Sequence, residues 1–275
     1  MKTTKLENDV QNFVNALKAE TNGNKRVKIC VDARLELEKA HTINTVLTYL
    51  TTYRKEVETV FGANTALLKY LKPHKKVVEK ERKEYRKEIQ VRTETNGLTT
   101  IENHTELIDF ATELLKSSSY LKVSLGLMLL TGRRSVEILK TGTFEKVQSK
   151  KNEVLFSGQA KKRGENSQPY KIPILCAPNL VISALEWLRG EKHELLSITE
   201  KQLNTKCAAP LNTYSKQFQS WLGNGCTPHD LRKAYAAIAY GQTNKRDSFR
   251  GFAAKVLGHN SDNELTTETY FKYTI

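Results

Sequence analysis

Four separated segments hold side chains that could act together on one bond. They are Thr131-Gly132-Arg133-Arg134-Ser135-Val136-Glu137-Ile138-Leu139, then Phe156-Ser157-Gly158-Gln159-Ala160-Lys161-Lys162-Arg163, then His229-Asp230-Leu231-Arg232-Lys233, then Leu257-Gly258-His259 with Tyr270 beyond it. In order they offer Arg, Lys, His-x-x-Arg, His and Tyr. Metal-free attack on a phosphodiester needs cations to neutralise the oxygens of a pentavalent transition state, an acid for the departing 5′ oxygen, and a nucleophile that can hold the phosphoryl group. Two arginines, a lysine, histidines and a tyrosine meet those needs. The planar guanidinium fork binds two phosphate oxygens at once, which suits Arg134 and Arg232 to clamping, and a flexible ammonium can donate the proton.

Each position has a plainer reading. Arg134 stands at a helix start, where a cation is unfavourable without an anion nearby; Arg133 is the alternative if the register differs by one. Lys161, Lys162 and Arg163 compete for one place, and each could simply touch backbone phosphate. His229 follows Thr227-Pro228, a helix-start signal that puts Arg232 one turn further on the same face; alone it could be a capping histidine. His259 follows a glycine that ends a helix. Tyr270 has Tyr273 as its rival one helical turn away, and a phenol near pKa ~10 needs adjacent cations to act at neutral pH. The acidic residues form no plausible metal cluster, so neither metal nor cofactor is expected.

These segments need a scaffold. Leu107, Ile108, Phe110, Ala111, Leu114 and Leu115 predict one helix, and Leu121 to Leu130 is uniformly apolar, which predicts a buried one. Val154-Leu155-Phe156 and Tyr170 to Leu175 are β-prone runs flanking a basic connection, a small hairpin or sheet edge. Helices resume at about Asn179 to Leu188. Upstream, Leu6, Val10, Phe13, Val14 and Leu17 recur at helical spacing, the pattern breaks at Asn22-Gly23-Asn24, a second helix covers about Ile43 to Phe61, and a third begins near Thr65 and is interrupted by Pro73. Thr93 to Thr100 reads as a linker. The expected fold is mainly α with a small antiparallel β-sheet: a helical DNA-binding domain over 1–97 and a catalytic domain over 98–275, two lobes of a DNA clamp.

Charge identifies the partner class. With 44 Lys and Arg against 30 Asp and Glu, the net charge of +14 calls for a polyanion. No apolar run is long enough to span a membrane and no signal peptide is visible, so a soluble, cytoplasmic protein without membrane partners is expected. Cys30, Cys176, Cys207 and Cys226 lack close pairing and read as reduced structural thiols. Between Lys69 and Arg92, ten basic residues face four glutamates. From Val77 onward this stretch lacks Gly and Pro and reads as a long helix with a positive face, so Lys72, Lys75, Lys76, Lys80, Lys83, Arg86 and Lys87 are candidates for DNA backbone contact, joined by Lys162, Arg163 and Lys233.

The ordered motifs resemble those of the tyrosine recombinases: Arg after Thr-Gly-x, Lys in a hairpin, His-x-x-Arg, and Leu-Gly-His before the nucleophilic Tyr. More narrowly, Leu155 to Lys161, His229 to Ala236 and Tyr270-Phe271-Lys272-Tyr273-Thr274-Ile275 look like the telomere resolvase (protelomerase) branch. The resemblance covers about 104–275. It implies that Tyr270 attacks, that Arg134, Arg232, His229 and His259 stabilise the phosphorane, that Lys161 protonates the leaving 5′ hydroxyl, and that Glu137 orients an arginine. The eleven-residue step from His259 to Tyr270 is longer than in ordinary members of the superfamily and fits this branch. Such a protein cuts an inverted-repeat duplex through 3′-phosphotyrosyl links and closes each end as a hairpin, without ATP, in a prokaryotic cell and nucleoid-associated or encoded by a phage or plasmid. The chain ends five residues after Tyr270, which favours a homodimer on one palindromic site. A conventional integrase acting as a tetramer on two duplexes, and a non-catalytic DNA-binding protein of the same fold, are the alternatives.

Overall fold

The computed structural model describes residues 5–94, 97–147, 152–160, 168–244, 246–258 and 270–275, with the side chains of Arg86, Ile89, Gln90, Arg92, Thr93 and Glu94 also outside the description. The chain divides into two compact units, 1–88 and 89–275. The first holds helices α1 (Lys5–Ala19), α2 (Gly23–Ala40) and α3 (Ile43–Phe61) and a 3₁₀ turn (Ala66–Lys69); α4 (Lys75–Glu94) crosses the division. Val10, Phe13, Val14, Leu17, Val46, Leu50, Tyr53 and Val57 meet in its core as their spacing predicts, joined by Cys30, Leu67 and Leu71. α2 was not evident from periodicity because Cys30 is its one buried residue. Local signals start it instead: the Asn22 side chain accepts from the backbone N–H groups of Asn24 and Lys25 at 2.9 and 3.2 Å. Along α4, Lys75–Glu79 and Lys80–Glu84 pair at 3.9 Å, and every described side chain is exposed or half-buried.

The second unit begins with strand β1 (Thr99–Thr100), inside the stretch read as a linker, and continues with α5 (His104–Leu114) and α6 (Tyr120–Thr131). α6 is buried along nearly its whole length and packs against α5 and three later helices, so its all-apolar sequence reflects a central position. One π-helical turn (Glu137–Thr141) leads into β2 (Thr143–Lys146), β3 (Glu153–Ser157) and β4 (Tyr170–Pro173), an antiparallel sheet in that order. Phe144 pairs with Phe156, and Phe156 with Tyr170, bringing their rings together tilted at 5.4 Å and edge-on at 5.7 Å. Helices α7 (Pro178–Glu191), α8 (Glu194–Ser197), α9 (Glu200–Ser215), α10 (Gln219–Leu222), α11 (Pro228–Gly241) and α12 (Phe249–Leu257) follow, and β5 (Tyr273–Thr274) pairs in parallel with β1.

Candidate active site

α6 ends at Gly132, whose φ of 67° is left-handed; a Cβ there would lie 2.1 Å from the Tyr235 ring, so only glycine turns the chain here. The turn releases two arginines to different fates. Arg133 is wholly buried, its Nε donating to the Thr131 carbonyl at 3.1 Å, Nη1 to the Tyr170 hydroxyl at 2.7 Å and Nη2 to the Val256 carbonyl, with its guanidinium 4.6 Å from the Phe156 ring centroid. Arg134 keeps 20% of its side chain exposed and pairs through Nη1 with the fully buried Glu137 at 2.7 Å. Glu137 also accepts from the Arg134 backbone N–H at 2.8 Å and the Ala160 N–H at 3.2 Å. The anion that a cation at this helix start calls for is therefore present in the protein itself. Burial pushes the Glu137 carboxyl up, but Arg232, Arg133 and Arg134 outweigh it and hold the group below its ordinary value. Arg189 donates to the carbonyls of Glu137 at 3.1 Å and Ile138 at 3.2 Å, holding the π turn closed.

α11 supplies the opposite wall. Thr227 and Asp230 form its capping box, with Pro228 in the first turn. His229 therefore stands at the helix start and Arg232 one turn on. Arg232 is buried, with Nε donating to the Tyr270 hydroxyl at 3.1 Å, Nη1 to the Gly132 carbonyl and Nη2 to the Leu257 carbonyl at 2.7 Å, while Nη1 lies 3.8 Å from Glu137 Oε2. Tyr270 itself is 3% exposed, and the His229 ring meets it edge-on with centroids 5.2 Å apart. The outer side of His229 faces solvent. Desolvation on its inner side, with Lys233, Arg232 and Arg134 against Asp230, pushes its imidazole down to about 4. A neutral ring amid cations can donate its N–H to an anion, as the site of a phosphate requires.

The C-terminal turn of α12 ties the motifs together. The carbonyls of Val256, Leu257 and Gly258 accept from Arg133, Arg232 and the Gln159 side-chain amide, one donor from each of three separate segments. These are helix-end carbonyls that lack intrahelical partners, and two of the donors are cations at the negative end of the dipole. Gly258 is left-handed at φ 65°, and a Cβ on it would strike Gln159 and the Tyr170 hydroxyl at 2.3 and 2.5 Å. Lys161, Lys162, Arg163 and His259 lie outside the described residues; Ala160 and Gly258, which precede Lys161 and His259, are the held neighbours on either side.

Other sequence candidates separate here. Tyr273 is buried on β5 and donates to the Leu222 carbonyl at 3.0 Å. Burial, with Asp230 and Cys226, raises its phenol well above the ordinary range. Lys233, expected on DNA backbone, reaches Asp230 at 3.1 Å with 18% of its side chain exposed. Lys72, Lys75, Lys76, Lys80, Lys83 and Lys87 are exposed. Sequence reasoning missed Arg133 and Gln159 as internal braces and Lys272 as the partner of Asp230 at 2.9 Å; the extension of the motif run through Lys272 was its one trace. Among the described residues no group of three His, Cys, Asp or Glu side chains is disposed to hold a metal ion.

Comparison with known proteins bears on the fold and the family. Over the whole chain and 90% of the other, the fold matches protelomerase TelA covalently complexed with substrate DNA, at a TM-score of 0.83 and 24% identity. Protelomerase TelK complexed with substrate DNA matches over 97% of this chain and 57% of that one, at a TM-score of 0.58 and 20% identity. In sequence, 56% of the chain is 31% identical to a protelomerase of Yersinia phage PY54, and the matched part spans only 27% of that protein's length. Residues 97–273 match the family model for the telomere resolvase ResT/TelK catalytic domain, and the chain belongs to that family.

Proposed function

We propose that the protein is a DNA strand transferase that cleaves an inverted-repeat duplex through a 3′-phosphotyrosyl intermediate and rejoins each strand as a covalently closed hairpin. The observation that carries this reading is the Tyr270 hydroxyl, 3.1 Å from the Nε of a buried arginine and edge-on to a histidine on the same helix. A cation against that oxygen favours phenolate as the phenol attacks. The Tyr270 oxygen bonds to phosphorus and the bond from phosphorus to the 5′ oxygen breaks. In this reading Lys161 supplies the proton to that oxygen. Arg134, Arg232, His229 and His259 neutralise the phosphorane. In the second step the freed 5′ hydroxyl of the opposite strand attacks the phosphotyrosine, Tyr270 leaves, and the number of phosphodiester bonds is unchanged, so no nucleotide is consumed.

The relatives support the same chemistry: a protelomerase of this fold is held covalently on substrate DNA, and a variant of it is complexed with DNA hairpin product. The lysines of α4 act as the backbone grip in this reading, and a homodimer on one inverted repeat is the working assembly. A nicked palindromic duplex tests the reaction. It should trap a covalent protein–DNA adduct that disappears in Tyr270→Phe and persists in Tyr273→Phe, and intact substrate should yield ends that snap back to duplex after denaturation. Arms that separate normally would overturn hairpin formation in favour of strand exchange between duplexes. An adduct that survives Tyr270→Phe would overturn the nucleophile.

A further inference from the structure

Asp230 lies beside His229 but points away from the reacting groups. It is 4% exposed, and its two oxygens have separate duties. Oδ2 accepts from the Thr227 N–H at 3.0 Å and the Thr227 hydroxyl at 2.8 Å, closing the cap of α11. Oδ1 takes two ammonium groups: Lys233, one turn along the same helix, at 3.1 Å, and Lys272, from the far end of the chain, at 2.9 Å. Lys272 also donates its backbone N–H to the Tyr270 carbonyl at 2.9 Å, bending the segment into a tight turn. Immediately beyond, the Lys272 carbonyl accepts from Thr99 at 2.9 Å, and the Thr274 carbonyl from Ile101 at 2.8 Å.

We infer that Asp230 and Lys272 form a clasp that positions the nucleophile: the ion pair fastens the turn carrying Tyr270 to the first turn of the helix that presents His229 and Arg232. The β1–β5 pairing fixes the segment's far end, and the clasp fixes its near end. The Tyr270 hydroxyl contact to Arg232 must break when a phosphate arrives between them, whereas the Lys272 contact to α11 lies outside the reacting groups and can persist. Helix capping alone needs only Oδ2, so the Lys272 contact adds nothing to the cap. Burial raises the Asp230 carboxyl, but Lys272, the two Thr227 contacts and Lys233 outweigh it and hold the group far below the ordinary range, leaving the pair charged at working pH. The two are positioning residues, since neither touches the Tyr270 hydroxyl. The inference rests on the proposed role of Tyr270.

Lys272→Met is the informative variant, because its side chain is 30% exposed and its loss leaves the cap of α11 intact. On the nicked palindrome, the rate of adduct formation should fall about tenfold to a hundredfold, as expected for an attacking group displaced by around an ångström, with DNA affinity unchanged. Lys272→Arg should restore most of the rate, and Asp230→Asn combined with Lys272→Met should be little worse than Asp230→Asn alone. Nitration by tetranitromethane, mapped by mass spectrometry, reads the clasp without any DNA: Tyr270 should be protected in the wild type and modified faster in Lys272→Met. Wild-type nitration of Tyr270 in that variant overturns the clasp, whether or not the wild type forms adduct. An adduct rate that stays at wild type, or that falls only in step with DNA affinity, overturns it too. Wild-type protein that forms no adduct on any inverted repeat defeats the proposed reaction instead, and the nitration result still decides the clasp.

Discussion

Glu137→Gln removes a buried charge on which three arginines act. The carboxylate is fully buried, pairs with Arg134 at 2.7 Å and lies 3.8 Å from Arg232, with Arg133 also acting on it. At the Arg232 distance the gross attraction is about 4 kcal/mol for an effective dielectric of ~20, and breaking a buried pair by neutralising one partner costs about 3–5 kcal/mol. The Arg134 N–H bonds to Oε2 and the Ala160 N–H to Oε1, so a glutamine's single oxygen serves only one of them and its amide hydrogens face donors in place of the other. For a unit of this size each kcal/mol shifts the midpoint about 2–4 °C, so the melting transition of residues 89–275 should drop by roughly 6–20 °C. Differential scanning calorimetry at neutral pH reads this directly. The pH dependence gives a second check. The folded value of Glu137 lies below its unfolded value, so its contribution is complete above the ordinary carboxylate pKa and is lost as pH falls through the folded one. The gap between wild type and variant should therefore narrow on acidification. Equal melting temperatures at neutral pH, or a gap that widens in acid, would refute the counterion role.

His229 in the DNA-free protein should titrate at about 4 by imidazole NMR. Because this lies below the free histidine value of ~6.5, the stability tied to its neutral form declines as pH drops from there toward the folded value; an unshifted midpoint would refute the crowding. Gly132→Ala should destabilise by about 2–5 kcal/mol, adding a left-handed backbone cost to overpacking against Tyr235, and urea denaturation with a loss below about 0.5 kcal/mol would contradict the steric argument. Replacing Lys75, Lys76, Lys80 and Lys83 with alanine should reduce the slope of log affinity for DNA against log salt by about 0.9 for each lysine on a phosphate. A fluorescence anisotropy salt series that leaves the slope unchanged would remove α4 from the interface.

What could be read beforehand was local. Helical spacing located α1 and α3, an unbroken apolar run located α6, and Thr227-Pro228 located the start of α11, because each depends on neighbours a few residues away. α2 escaped because only Cys30 on it is fully buried, with Val27, Ala33 and Leu37 half-buried beside it, and β2 because four residues with one buried side chain leave no periodic trace. Arg133 and Arg134 cannot be told apart by type or spacing; which one reaches solvent is decided by the turn at Gly132 and by the Phe156 and Tyr170 rings, against which the Arg133 guanidinium lies. Tyr273 was a fair rival to Tyr270 on identity, and only its pairing with β1 and its contact with the Leu222 carbonyl separate them. The partner of Asp230 lies 42 residues away, beyond the reach of any pattern within a helix.

The grip on the end of α12 bears on how the molecule comes into being. Its three donors reach across 123, 25 and 99 residues of chain, and the Arg232 contact to Gly132 across 100. Contacts that close such long loops bear their entropy before any reward. Helices α5, α6 and α11 form from near neighbours, whereas the reactive centre exists only once distant segments have docked. Assembly of the site should therefore lag behind formation of the helices that carry it when the unfolded chain is returned to native conditions.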